Sequence, residues 1–284
     1  MGKVTVVGGK VGMEAPIALP PVGTKLDAFT WEQISVISQK GLASKYFSVG
    51  DYKTIVINGT VGATNFSELS VRAVLIGIDH NSSIEGINRM HFQIGRIDTT
   101  DICLCDSNYN KSSITTSGAF IMNTSLTSAG GWSACHMRKT VLGSDSLPSN
   151  PTTNTLLSAL PSDLRAVMKP VTKYSDNTGG GTNTASYVTA TEEFLWLLAD
   201  FEVFGTCMYS NSAEQNHQKQ YDYYKAGNSV VRYKHNAKTT AAQWLLRSPN
   251  AQGTNGYFCT VSTTGKASHT ETQSSFGVAP AFAV

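Results

Sequence analysis

The sequence predicts a mixed fold of strands and short helices. Strand-like runs gather toward both ends of the chain and helix start and stop signals gather in its middle, while no period of about 20–50 residues marks a solenoid or propeller. At 284 residues the chain is long enough to bury a real core, as one large domain or two modest ones.

Residues 1–22 stand apart. Lys3 to Val7 reads as a short strand, Gly8, Gly9 and Gly12 loosen the chain after it, and Pro16, Pro20 and Pro21 hold the rest extended. Such an arm has too little apolar surface to fold alone and is expected to dock on this domain or a neighbouring subunit. Thr30-Trp31-Glu32-Gln33 forms a capping box opening a helix that ends near Gly41, with Trp31, Ile34 and Ile37 or Ser38 on one face. Lys53–Asn58, followed by a turn at Asn58-Gly59, then Val71–Ile78 and Met90–Ile97 read as strands; the near-continuous apolar run of Val71–Ile78 suits a centre covered on both faces.

In the middle, Ser133–Leu142 ended by Gly143, Thr153–Leu160, and a segment opening at Pro161 or Ser162 and stopped by Pro170 read as helices. The Ser175–Ser186 stretch reads as a loop. Phe194–Phe204 reads as a strand with Asp200 and Glu202 facing out, and Ser210–Gln220 as a polar loop. Trp244–Pro249 and Tyr257–Ser262 are strands, with a turn at Thr264-Gly265 and a polar alternating stretch to Gln273. The apolar Gly277–Val284 segment is expected to tuck into the sheet.

Only 15% of residues are charged, against about a quarter in an ordinary protein, and Ser, Thr and Asn make up about another quarter. The surface is therefore neutral and polar. A net charge of +2 without basic blocks argues against nucleic acid or an anionic membrane as partner. No apolar run approaches a membrane span and none resembles a secretory signal. Val6 stands where myristoylation wants Ser or Thr. Cys103, Cys105, Cys135, Cys207 and Cys259 are odd in number and widely spaced, so free thiols are expected.

Catalytic signatures are missing. Gly8-Gly9-Lys10-Val11-Gly12 lacks the phosphate-loop pattern, the six histidines fall in no metal motif, and there is no G-x-S-x-G. Cys103-Leu104-Cys105 reads as core packing, and Asp79-His80 as a buried structural histidine. The expectation is no enzyme, no metal and no cofactor.

Seven motifs in register carry a resemblance: Trp31-Glu32-Gln33-Ile34 after Gly23-Thr24; Ile76-Gly77-Ile78-Asp79-His80-Asn81; Gly130-Gly131-Trp132 with Met137-Arg138; Leu160-Pro161-Ser162-Asp163-Leu164; Phe201-Glu202-Val203-Phe204-Gly205; Trp244-Leu245-Leu246-Arg247-Ser248-Pro249; and Gly277-Val278-Ala279-Pro280-Ala281-Phe282. Over residues 23–284 the chain resembles C-type-lectin-like proteins of Firmicutes phages and prophages, related to the formylglycine-generating-enzyme group and to the variable proteins of diversity-generating retroelements. The resemblance implies an α+β fold, a C-type-lectin-like domain with a twisted antiparallel sheet, short helices and long loops, preceded by the arm at 1–22. Ala279 departs from the family's Arg and Gln243 from its Trp. Cys259 stands alone where the enzymes of the group carry two cysteines, so the fold is shared and the site is not.

The resemblance to the variable proteins implies a binding face at Asn250, Gln252, Thr254, Asn255, Tyr257, Thr260, Ser262, Lys266, Ser268, His269, Thr270 and Gln273. Polar tips there alternate with Phe258, Cys259, Val261 and Ala267. It implies a tail-associated virion protein, made in the bacterial host cytoplasm, that attaches to a host-surface glycan or protein. The expected partners are other virion proteins, through the arm, and further copies of the chain. The alternative is a purely structural baseplate, tail or capsid component.

Overall fold

A computed structural model describes residues 4–7, 10–13, 17–253 and 255–284. Helix takes 21% and strand 32% of the chain, and the main sheet has eight mostly antiparallel strands, which makes the fold α+β.

The chain opens with an antiparallel hairpin, β1 (Val4–Val7) on β2 (Lys10–Met13), with Val4 opposite Met13 and Val7 opposite Lys10. The second strand is a correction to the loosened chain that the glycines suggest. Where the arm docks lies outside the described residues. Helix α1 (Trp31–Gln39) carries the expected capping box: Gln33 N–H donates to Thr30 Oγ1 at 3.1 Å and Thr30 N–H to Gln33 Oε1 at 2.9 Å.

A long hairpin comes next, β3 (Tyr52–Val61) on β4 (Thr64–Ile78). The expected turn at Asn58-Gly59 is instead a register shift within β3, and the chain reverses at Gly62-Ala63. Gly62 has φ +57°, and a Cβ there would strike the Gly118 backbone. After β4 the chain turns through Asp79 and Asn81, both left-handed, into the single helical turn α2 (Ser82–Glu85). Asp and Asn tolerate that conformation where most residues do not.

Strand β5 (Met90–Ile97) pairs with β4 along one edge. Its other edge takes the last strand and then β6 (Thr100–Cys103). As predicted, β4 is central and buried over Val71–Ile76 on alternating or both faces. The expected helix at Ser133–Leu142 is interrupted: Gly131–Ala134 forms one turn, Cys135 is extended, and Met137–Leu142 winds as a wider π-helix closed by left-handed Gly143.

Beyond it lie β7 (Val171–Asp176), β8 (Val188–Glu193) and the short β9 (Leu195–Trp196). Ser175 and Asp176 therefore end a strand instead of starting a loop. Phe194–Phe204 is not one strand. After β9 the chain enters helix α3 (Asp200–Phe204), capped by left-handed Gly205, and Asp200 and Glu202 are wholly buried where the strand reading faces them outward. Ser212–Asn216, inside the expected polar loop, is a 3-10 turn with Glu214 buried.

Strands β10 (Arg232–Lys234) and β11 (Ala237–Ala242) extend the main sheet, β10 running parallel to β6. A separate three-stranded sheet is built from β12 (Trp244–Pro249), β13 (Tyr257–Val261) and β14 (Ala267–Glu271). The last strand, β15 (Ala281–Ala283), is inserted between β5 and β9, as the apolar terminal run predicts. There Phe282 stacks on Phe92 at 5.5 Å, and Trp31 of α1 packs edge-on against both rings. At the Arg-to-Ala departure, Gln93 Nε2 donates to the Ala279 carbonyl at 2.8 Å. The buried Arg232 guanidinium reaches the same Gln93 at 2.7 Å, so a cation from β10 serves this region.

Candidate functional site

The predicted binding residues divide sharply. β13 is the middle strand of its sheet, paired on both edges, and Phe258 to Val261 are buried. Thr260 is therefore inside, accepting from Gln243 Nε2 at 2.9 Å, the residue that stands in place of the family's Trp. Asn250 is also buried, with its Oδ1 accepting from Gln252 N–H at 2.7 Å, and Thr270 is buried opposite Phe258. These three are corrections: polar and apolar residues alternate, but both faces of β13 are covered. Thr254 lies outside the described residues.

The others reach the surface wholly or in part. Gln252, Asn255 and Lys266 are exposed; Tyr257, Ser262, Ser268, His269 and Gln273 are half-buried. They do not form one face. The strand period places Tyr257 and His269 on one side of the sheet and Ser268 on the other. Asn255 Oδ1 accepts from Ser128 Oγ at 2.8 Å and Gln273 Nε2 donates to the Thr124 carbonyl at 3.0 Å, so both are tied to the 124–128 loop.

What the fold does bring together is an aromatic group. The His269 ring lies 5.4 Å from Tyr257 and 4.9 Å from Tyr209, and the Tyr257 hydroxyl donates to Glu271 Oε1 at 3.2 Å. Gln252 Nε2 reaches the carbonyl of exposed Met208 at 2.6 Å. Tyr209 comes from a loop 48 positions before Tyr257, and no local pattern marks it.

The second group is buried. β7 turns Val171, Lys173 and Ser175 inward. The Lys173 ammonium donates to Glu85 Oε2 at 2.6 Å, Glu202 Oε1 at 2.9 Å and the Tyr221 hydroxyl at 2.9 Å, which satisfies all three of its hydrogens. Glu202 also takes a bidentate fork from Arg247, from Nη1 and from Nη2 at 3.0 Å, and its Oε2 accepts the Ala199 N–H at 2.9 Å. Arg247 reaches further to Ser175 Oγ and the Leu197 carbonyl.

The imidazoles of His80 and His91 border this group. His80 stacks on Tyr221 at 3.8 Å, with Nε2 4.0 Å from Glu85 Oε1. His91 Nδ1 is 3.1 Å from the Tyr221 hydroxyl. That hydroxyl accepts from Lys173, and Nδ1 also lies 3.6 Å from Glu85 Oε2, so the direction of the His91–Tyr221 bond follows the imidazole tautomer. Burial pushes the His80 imidazole down to about 3, with the Lys173 charge adding to it, and holds His91 well below its usual range. Burial raises the Glu85 carboxyl to about 7 against the pull of Lys173. For Glu202 burial is outweighed by Arg247 and Lys173, which hold it ionised well below the usual carboxylate range.

His80, Glu85 and Glu202 are close enough to share a metal ion. The donor set does not fit one. Glu202 spends its oxygens on Arg247, Lys173 and Ala199, and the ammonium of Lys173 already bridges the two carboxylates. Glu85, His80, His91, Lys173, Glu202, Tyr221 and Arg247 are each no more than 4% exposed.

Two sequence motifs thus meet here: Glu202 of Phe201–Gly205 clasps Arg247 of Trp244–Pro249, and neighbouring Ser248 donates to buried Glu214 at 2.6 Å. Fold and site together define an α+β domain braced by an internal ion-pair lattice and closed by its own last strand. The chain belongs to the DUF6273 family, a domain of unknown function whose profile matches residues 109–284. Lys173, Glu202, Tyr221, Arg247 and the three-stranded sheet lie within the match, whereas His80, Glu85 and His91 come from the preceding segment and complete the same centre. No curated protein and no solved structure matches the chain.

Proposed function

We propose that this chain is a recognition protein with a C-type-lectin-like fold, carried at the tail of a phage or phage-like particle and attached to the host surface through its C-terminal sheet. The observation that carries this reading is the aromatic group of Tyr257 and His269 on paired strands with Tyr209 from a neighbouring loop, beside exposed Gln252 and Met208. Rigid aromatic surface with neutral hydrogen-bonding groups around it suits a glycan or a protein epitope. The motifs behind the resemblance support it by their placement: Trp132, Leu164, Glu202, Arg247 and Phe282 are all buried, so they act as framework and leave the surface between them free to differ. The arm at 1–22 would carry assembly with other virion proteins and with further copies.

The test compares the wild-type chain with a Tyr209→Ala, Tyr257→Ala, His269→Ala triple variant on a glycan array and on a panel of bacterial cells. Binding by the wild type that the variant loses, at an unchanged melting temperature, supports attachment through this face. Equal binding by both rejects the face. No binding by the wild type favours the purely structural virion role, for which deletion of residues 2–15 should abolish assembly while leaving a folded body.

A further inference from the structure

We infer that Lys173 and Glu85 are poised to join as a side-chain amide, an internal isopeptide bond tying β7 to the turn after β4. This goes beyond surface recognition and does not depend on it.

Three features point to bond formation. The first is proximity: the nucleophilic Lys173 nitrogen lies 2.6 Å from Oε2 of the Glu85 carboxyl whose carbon it would attack, the two held by elements 88 residues apart in the chain. The second is dryness. Both side chains are buried, between the Trp196 ring at 4.7 Å and the Tyr221 ring at 5.2 Å from the lysine nitrogen, so water does not compete and charge separation is disfavoured. Burial raises the Glu85 carboxyl to about 7, which brings its protonated form within reach of neutral pH where it faces the lysine nitrogen.

The third is an outlet for protons. Lys173 Nζ, the Tyr221 hydroxyl and His91 Nδ1 form a hydrogen-bonded line with steps of 2.9 and 3.1 Å, ending on an imidazole that burial keeps neutral. Glu202 Oε1 receives another of the amine hydrogens. His80, whose two ring nitrogens have no hydrogen-bond partner among the described residues, stands with Nε2 4.0 Å from Glu85 Oε1, the oxygen that stays on the carbonyl.

The step balances without a co-reactant. The Lys173 nitrogen bonds to Glu85 Cδ and one Cδ–Oε bond breaks. The ammonium gives up two hydrogens, which leave with that oxygen as one water. Tyr221 and His91 act as a relay, taking a hydrogen from nitrogen and passing it to the departing Oε2, which His91 Nδ1 faces at 3.6 Å, and Glu202 keeps the nitrogen in place.

The experiment is the intact mass of the folded wild-type chain, measured after denaturation. The bond predicts a deficit of one water, about 18 Da, with Lys173 and Glu85 recovered in one branched tryptic peptide. Lys173→Arg, which keeps the charge, should show the full sequence mass. Wild-type protein that retains its full mass after prolonged incubation at neutral pH overturns the proposal. So does a one-water deficit that maps to other residues; an imide at Asn58-Gly59 or Asn255-Gly256 expels ammonia, about 17 Da, and is told apart by that mass. The wild-type measurement decides the matter even if the variant fails to fold.

Discussion

Replacing Glu202 by Gln changes almost no volume and removes one buried charge. The amide keeps one oxygen, and its NH2 group must now face a donor, either the Arg247 fork or the Lys173 side, since both carboxylate oxygens are engaged. Arg247, wholly buried, is left without its counter-ion. Breaking a buried pair from one side costs about 3–5 kcal/mol, a large share of the roughly 5–15 kcal/mol that keeps a domain folded. For a chain of 284 residues that is a fall in melting temperature of about 5–8 °C. Thermal unfolding followed by tryptophan fluorescence measures it. The double variant Glu202→Gln with Arg247→Met removes the stranded cation too, so it should melt above the single variant. A Glu202→Gln protein that melts within about 2 °C of wild type would refute the idea that this lattice braces the fold.

Phe282→Ala empties the stack with Phe92 and Trp31 and should cost about 3–5 kcal/mol; a denaturant midpoint close to wild type would mean that β15 is not anchored there. His80 stays neutral in the fold down to about 3 while its unfolded form protonates near 6.5, so its contribution is complete above 6.5 and is lost as the pH falls through that window. His80→Phe, which keeps a ring on Tyr221, should flatten the acid side of the stability profile; an unaltered slope counts against this. Glu214 works in the opposite sense. Burial raises it to about 7 from an ordinary 4.5, so stability declines as pH rises between the two, and Glu214→Gln should remove that decline in melts taken across the same range. All five cysteines are free, so melting with and without reductant should coincide; a clear drop under reductant would contradict it.

The capping box at Thr30, strand β12 and the buried terminal strand are legible in the sequence because each rests on local chemistry or on an uninterrupted apolar run. Asp200 and Glu202 mislead for a specific reason. Two acids two residues apart at the end of an apolar stretch match the outward positions of a strand, and nothing nearby reveals that Glu202 turns back to the Ala199 N–H and on to Arg247. Thr260 misleads likewise: alternation signals a half-covered strand, and only the burial of successive residues Phe258 to Val261 in the fold shows that both faces are closed. The buried lattice joins residues 80, 85, 91, 173, 202, 221 and 247, a set with no spacing that a motif could hold. Asp79-His80 is the exception, since its reading as a buried histidine is what the structure shows.

The position of β15 has a consequence for how the chain is made. It fills the gap between β5 and β9, and its partners are synthesised long before it. Until residues 281–283 leave the ribosome, that part of the sheet has a vacant lane lined by Phe92, Leu195 and Trp196. The nascent chain must therefore wait with apolar surface uncovered, and closure depends on contacts between residues nearly two hundred positions apart, which makes it slow. Ribosome stalling just short of Ala281 should yield a protease-sensitive chain, and release of the last strand should convert it to the resistant fold.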